Sequence, residues 1–337
     1  MIIAIDESGS FVEAPSVGSW CVVAAYVFNE RIRTHSFSAL ASLKARCGRG
    51  SSLEIKLKDI EEAEYFRFLN DLYRIGGVLF AVATDAGLNL TPGVIEHRTI
   101  QAEKIRKNVP RMKYDVGKRA VTDLAAEIDS LAPQLYIQLL CQVELIRDVL
   151  SRGILYFVQR DPVSLRRFKW RIDQKNTIKT TYERAFEKIT PALLQSISFR
   201  EPMIFLDGAD YSHFKPYEFS EEEFPEYLQE EFGREPRSSV NIGKILRENM
   251  AFPESSSDPA VQIADLLAAG IRKCLRAGFA NNELAAKFLG RLMVQNLKKE
   301  PPLCLVHFTG EEFSADVAAA NVVRLMDRAS RSMLNAA

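Results

Sequence analysis

Four aspartates stand where an apolar stretch ends or continues around them: Asp6 after MIIAI, Asp173 after FKWRI, Asp207 after PMIFL, and Asp265 within VQIADLLAAGI. An ionised carboxylate beside a core is costly unless something compensates it. Several such acids gathered on Mg²⁺ or Mn²⁺ compensate one another, because the cation replaces the attraction that water gave up. Two such ions about 4 Å apart could activate a water and stabilise the leaving oxygen in phosphodiester cleavage. Each acid also has a simpler reading. Asp6 could bond the backbone of the Glu7-Ser8-Gly9 turn, Asp173 and Asp207 could each close a strand, and Asp265 could pair with Arg272 or Lys273. Asp265 is the hardest to dismiss, since Ile263, Ala264, Leu266 and Leu267 flank it in a helical pattern that disfavours Asp. Asp258 lies seven residues earlier, but Pro259 directly after it fits an N-cap better than a ligand.

A second constellation is Glu54 and Lys56, which follow the flexible GRGSS stretch (48–52). Glu54 could complete a metal shell and Lys56 could hold a phosphate; the plain alternative is an exposed charged pair. A third is the basic run Arg166, Arg167, Lys169 and Arg171 around Trp170, extended by Lys175. Cations interleaved with an aromatic suit a nucleic-acid strand, with phosphates on the charges and a base on the ring. On an alternating strand, a residue such as Trp170 is more often part of the core.

Other chemistries lack their signatures. The five cysteines are scattered and odd in number, with no CxxC, and the four histidines form no HExxH. A disulfide framework and a zinc site are therefore not expected, and any metal must be held mainly by oxygen. No P-loop, GxSxG elbow or GxGxxG after a strand occurs. Lysines plus arginines balance aspartates plus glutamates at 44 each, which argues against a uniformly basic protein. The distribution is uneven: residues 100–190 hold 18 basic against 11 acidic side chains, and residues 201–260 hold 5 against 14. A local basic surface for phosphates is compatible with that asymmetry. The opening MIIAID has no basic stretch and no apolar run is long enough to span a bilayer, so a cytoplasmic protein without membrane contact is the expectation.

The elements that must position these residues follow from periodicity. Strands are expected at 1–5, 19–28, 78–86, 168–173 and 201–207, with 154–159 also extended in pattern. Helices are expected at 31–47, 61–75 (stopped by Gly76-Gly77), 96–152 with breaks near Pro110 and Pro133, 177–197, and from Asp258 to about Arg276. LEIKLKDI (53–60) is ambiguous. The stretch 210–240 is acidic and aperiodic and reads as a loop insertion. Early strands followed by alternating helices and strands predict an α/β architecture.

At these residues the chain resembles the bacterial family once known only as domain of unknown function thirty-eight hundred, thought to be ribonuclease-H-like. The resemblance rests on IDESGS (5–10), EIK (54–56) and VQIADLLAAGIRK (261–273), with FKWRIDQKN (168–176) and GADYSHF (208–214) resembling a longer subgroup. It implies a mixed five-stranded sheet flanked by helices, with strands one to three antiparallel and strands four and five parallel. The whole chain, 1–337, would be one elaborated domain with a helical insertion at 96–152, the acidic loop at 210–240 and a helical extension at 280–337. Asp6 would be the central acid, Asp173 or Asp207 the acid of the neighbouring strand, Asp265 the acid of the final core helix, and Glu54 a fourth ligand with Lys56 alongside. The implied activity is two-metal hydrolysis of RNA or DNA, with Mg²⁺ or Mn²⁺ as cofactor. Defence against phage or mobile elements is a setting in which such nucleases occur. Two other readings stand beside it: a non-catalytic nucleic-acid-binding or scaffold protein, and a regulatory partner whose acidic segment 218–235 mimics nucleic acid or docks a protein.

Overall fold

The computed structural model describes residues 1–174, 181–222, 224, 239–298, 300–308 and 317–335. Its centre is a six-stranded mixed sheet in the order β5-β4-β1-β2-β3-β6. Strands β1 (Ile2–Ser8), β2 (Trp20–Phe28) and β3 (Val78–Asp85) form an antiparallel meander. Strand β4 (Lys169–Ile172) adds parallel to β1, and β5 (Met250–Ala251) adds parallel to β4. The far edge is closed by β6 (Leu303–Leu305), parallel to β3.

The central strands read as continuous apolar runs because both faces are covered. Every residue of β2 (WCVVAAYVF) and of β3 is buried. Alternation divides the side chains between two cores. Ile3, Ile5, Trp170 and Ile172 face one core, shared with helices α3 (Thr91–Arg106), α5 (Pro133–Asp148), α6 (Ile154–Val158), α7 (Thr181–Arg200) and α8 (Ile242–Arg247). Helix α4 (Asp115–Ser130) contributes Ile128 to the same side. Ile2 and Ala4 face the other core, made with α1 (Arg33–Arg46), α2 (Glu62–Ile75), α9 (Pro259–Leu275), α10 (Asn282–Leu292) and α11 (Val317–Ala329). Among the described residues no helix is long and apolar enough to cross a membrane.

The boundaries follow local chemistry. Helix α2 ends at Gly76 in the left-handed region, whose N–H returns to the Leu72 carbonyl. Helix α9 opens on the Asp258 side chain, which accepts from the Ala260 and Val261 amides with Pro259 at the first position, as the sequence predicts.

Several expectations are corrected. The sheet has six strands rather than five, because Leu303–Leu305 is a strand within what reads as a purely helical extension over 280–337. The 154–159 stretch is helical: after α5 a π-turn at Val149–Gly153 leads into α6, so the helical region runs from Thr91 to Val158. Residues 201–207 are not a strand. Their backbone is irregular, with Ile204 and Phe205 exposed, and the Leu206 amide donates to the Tyr211 hydroxyl at 3.0 Å. The place beside β4 is taken by Met250–Ala251, so Asp207 sits in an exposed turn rather than at the end of a sheet strand. Most of the acidic stretch 218–235 lies outside the described residues.

Candidate functional site

The parallel pairing of β1 with β4 runs from Ile2 opposite Lys169 to Ile5 opposite Ile172, and the Asp173 amide continues it by donating to the Ile5 carbonyl at 3.0 Å. One step further, Asp6 and Asp173 stand side by side. Both continue the face of Ile2, Ala4 and Arg171, so the pleat directs both carboxylates to the side covered by α9. Asp6 is buried, at 4% exposure, yet β1 continues past it to Ser8. One Asp6 oxygen accepts the Glu7 amide at 2.7 Å, so part of the turn-bonding alternative is realised.

The turn after Asp6 needs its glycine. Gly9 has a φ of +115°, and a Cβ there would stand 2.7 Å from the Cys21 sulfur on β2. A comparable close approach fixes Gly270 in α9: the Tyr65 hydroxyl crosses the helix there to donate to the Leu266 carbonyl at 2.9 Å. That bond anchors the turn of α9 that carries Asp265.

Segment 53–56 brings in the second constellation. Ile55 is fully buried in the α9-side core, and in an extended stretch Glu54 and Lys56 then share the opposite side. The Lys56 ammonium lies 2.8 Å from Glu54 Oε1 and 3.2 Å from Asp265 Oδ2. Glu54 and Lys56 are therefore joined to the α9 acid and are not a detached surface pair. Arg272 and Lys273, the alternative partners of Asp265, are engaged elsewhere: Arg272 donates to the Trp20 carbonyl and Lys273 lies over the Phe279 ring.

The electrostatics reflect crowding of like charge. Burial pushes the Asp173 carboxyl up to about 6; Lys56 opposes this, while Asp265 and Glu54 push it further. Burial of the Lys56 ammonium works against its charge, but Glu54 and Asp265 outweigh that and hold its pKa above the ordinary lysine value. For Glu54, burial is outweighed by hydrogen bonds from Lys56 and Ser255, and its pKa is lowered. Glu54, Asp265 and Asp173 thus act on the partly exposed Lys56 ammonium, and Lys44 adds a second positive charge near Glu54.

All four donors are hard carboxylate oxygens, the chemistry that suits Mg²⁺ or Mn²⁺. Their excess negative charge is what a divalent cation would neutralise. Among the described residues, however, no three acids, histidines or cysteines are already drawn together as a metal-holding group. The donor set fits such an ion in kind and in charge, and Lys56 stands between two of its members.

The predicted basic cluster divides. Trp170 is fully buried in the opposite core and its indole N–H donates to the Ile245 carbonyl at 3.0 Å, so it offers no face to a base. Even-numbered residues of β4 face that core, which settles the alternative in favour of packing. Lys169 is paired with Glu30. Arg166, Arg167 and Lys169 line a cleft at the starting end of β1 and β4. Four residues of strand separate that end from Asp6 and Asp173, about 13 Å. Lys169 and Arg171 both lie on the face of the acids, Lys169 at the far end of β4 and Arg171 nearer, half-buried and 4.0 Å from Asp258. Lys175 falls outside the described residues.

Two participants escape a reading of the sequence. Ser255 donates from its hydroxyl to Glu54 Oε1 at 2.8 Å, and its amide bonds the Asp173 carboxylate. Gln262, one turn before Asp265, donates to the Ser256 carbonyl at 3.2 Å, while its buried Oε1 has no partner among the described residues. The serine run just before Asp258-Pro259 is the only sequence signal for the first; the QxxD spacing is the signal for the second. No protein-family model, curated protein or solved structure matches this chain.

Proposed function

We propose that this chain is a divalent-metal-dependent nuclease of ribonuclease-H-like type, acting on RNA or DNA. The observation that carries the reading is the placement of Asp6 and Asp173 in register on adjacent parallel strands, on the sheet face packed by the helix that presents Asp265. The strand order supports it: β5-β4-β1-β2-β3, with an antiparallel meander and two parallel additions, is the pattern that the motif resemblance implies, and β6 extends it at one edge. Asp6, Asp173, Asp265 and Glu54 would hold the ions, which would supply Lewis-acid stabilisation of an attacked phosphodiester. The chain's own groups do the rest. Lys56 neutralises part of the acidic edge and is placed to meet a phosphate. Ser255 orients Glu54 and Asp173 through its hydroxyl and amide. Arg171 is the predicted phosphate-binding cation of β4 nearer the acids on this face.

Charge makes metal and substrate interdependent here. A phosphate backbone approaching four carboxylates and one ammonium is repelled, and bound divalent ions reverse that sign. A second reading, a non-catalytic nucleic-acid-binding or scaffold protein, is favoured by the absence of a preassembled three-acid group among the described residues. Labelled RNA and DNA incubated with Mg²⁺ or Mn²⁺ separate the two. Cleavage by the wild type that disappears in Asp6→Asn supports the nuclease; binding without cleavage under all metal conditions supports the scaffold.

A further inference from the structure

On the sheet face opposite the acids, α3, α5, α7 and the chain leaving β6 enclose a cavity of about 370 Å³. That lies within the roughly 300–1,000 Å³ of small-molecule sites. Its walls are apolar, from Ile105, Leu139, Val143 and Ile197 among others, and one end is aromatic. There His97 stands edge-on to Phe308, with centroids 5.7 Å apart, and tilted to Tyr136 at 5.9 Å. His97 Nδ1 is bonded to the Tyr136 hydroxyl at 2.8 Å, which leaves its other ring nitrogen without a partner among the described residues. Burial, helped by the charge of Lys104, lowers the His97 pKa and favours the neutral ring.

The rim is cationic. Lys104 and Arg200 both line the cavity and both are exposed, and neither has a carboxylate partner among the described residues. The one acid in the lining, Glu144, is gripped through both oxygens by Arg147. Two cations without a carboxylate partner among the described residues, beside aromatic edges and an apolar wall, select a particular ligand chemistry: a flat ring to pack on the aromatic end and a negative group to meet the rim.

We propose that this cavity binds a small anionic, ring-bearing ligand of the size of a nucleoside monophosphate, its ring against Tyr136, Phe308 and His97 and its anionic group on Lys104 and Arg200. The sheet separates it from the acidic edge, and the inference stands whether or not that edge cleaves nucleic acid.

Isothermal titration of the full chain with each of the four common ribonucleoside monophosphates tests it, with adenosine and inorganic phosphate as the two halves of one probe. At least one monophosphate is expected to bind at a single site, more tightly than either half tested alone. Lys104→Ala and Arg200→Ala are each expected to weaken it about tenfold, the loss of one charge-assisted contact, with the circular dichroism spectrum unchanged because both side chains are exposed. Asp6→Asn is expected to bind as the wild type does. No binding by any monophosphate, phosphate binding as tightly as the nucleotide, wild-type affinity in both rim variants, or loss in Asp6→Asn would each overturn the assignment.

Discussion

Two regions of this molecule bury carboxylates beside a basic side chain, and they handle the charge in opposite ways. In the helical layer, Asp148 is buried one turn from Arg152, whose guanidinium grips it in a fork. The remaining donors of Arg152 reach the Val294 and Pro302 carbonyls at 2.8 and 3.0 Å, and its plane lies over Phe80. Burial raises the Asp148 pKa and the guanidinium opposes it. One negative charge meets one positive charge, four of the five guanidinium N–H donors are used, and the pair ties the helical layer to the chain around β6. At the acidic edge, the Lys56 ammonium, 44% exposed, meets two carboxylates, Glu54 and Asp265, and Asp173 lies within reach of the charge of all three. The first arrangement is complete within the chain. The second gathers more acid than the Lys56 ammonium alone balances, which marks it as the candidate functional site.

Asp85 makes the same point from a single strand end. It closes β3 as Asp6 nearly closes β1, but it accepts the Gly18, Ser19 and Gly87 amides at 2.6, 3.0 and 3.0 Å. A strand-end acid whose oxygens are saturated by backbone donors clamps a loop. What separates it from Asp173 is the company of other acids.

The largest expected effect breaks the comparison on the functional side. Asp6→Asn and Asp265→Asn should each lower cleavage by on the order of a thousandfold or more, as removal of a group that stabilises transition-state charge does. Both variants should unfold in urea close to the wild type. Rates near wild type in either would remove the assignment.

The structural side should answer in the other currency. Arg152→Met leaves Asp148 buried and uncompensated and should cost about 3–5 kcal/mol in urea unfolding. Adding Asp148→Leu should restore much of that loss, since a well-packed apolar pair often matches a buried ion pair. Cleavage by the folded fraction should be unaffected in both.

A smaller effect probes how the helix carrying Asp265 is held. Gly270→Ala would set a methyl carbon 1.8 Å from the Tyr65 oxygen. It should cost about 1–3 kcal/mol through overpacking, and Tyr65→Phe should recover part of it in a double-mutant cycle. Full additivity of the two substitutions would show that this contact does not set the geometry.

The smallest effect concerns Lys56. Lys56→Gln removes the ammonium bonded to Glu54 and Asp265, and because that side chain is 44% exposed its stability change should stay within about 1 kcal/mol. Affinity for Mn²⁺ should rise, because a competing positive charge has gone, while cleavage falls. A lowered Mn²⁺ affinity would mean that Lys56 organises the ligands rather than competing with the ion.

How far the sequence speaks depends on the range of the forces involved. Local rules were sufficient for the Asp258-Pro259 helix start, the Gly76 stop and the apolar runs of β1 to β3. The acids Asp6, Asp173 and Asp265 were visible because a charge inside an apolar pattern needs a reason. Periodicity failed where tertiary context decides. The FLD of 201–207 has a strand's composition but no free sheet edge to join, since Met250–Ala251 occupies it, and three residues at 303–305 are too few to show a period. The cationic neighbours of Trp170 suggest a reader of bases, but alternation favours the core, and the core is where it lies. Ser255 and Gln262 act through contacts with other segments, so the serine run and the QxxD spacing mark their places but not their partners.

The most direct test of the central claim is calorimetric titration of Mn²⁺ into the metal-free wild type, Asp6→Asn, Asp265→Asn and, as a control, Asp207→Asn. Binding by the wild type and Asp207→Asn, lost in Asp6→Asn and Asp265→Asn, is the result this account predicts. No binding by the wild type at millimolar Mn²⁺, or equal binding by all four proteins, would contradict it.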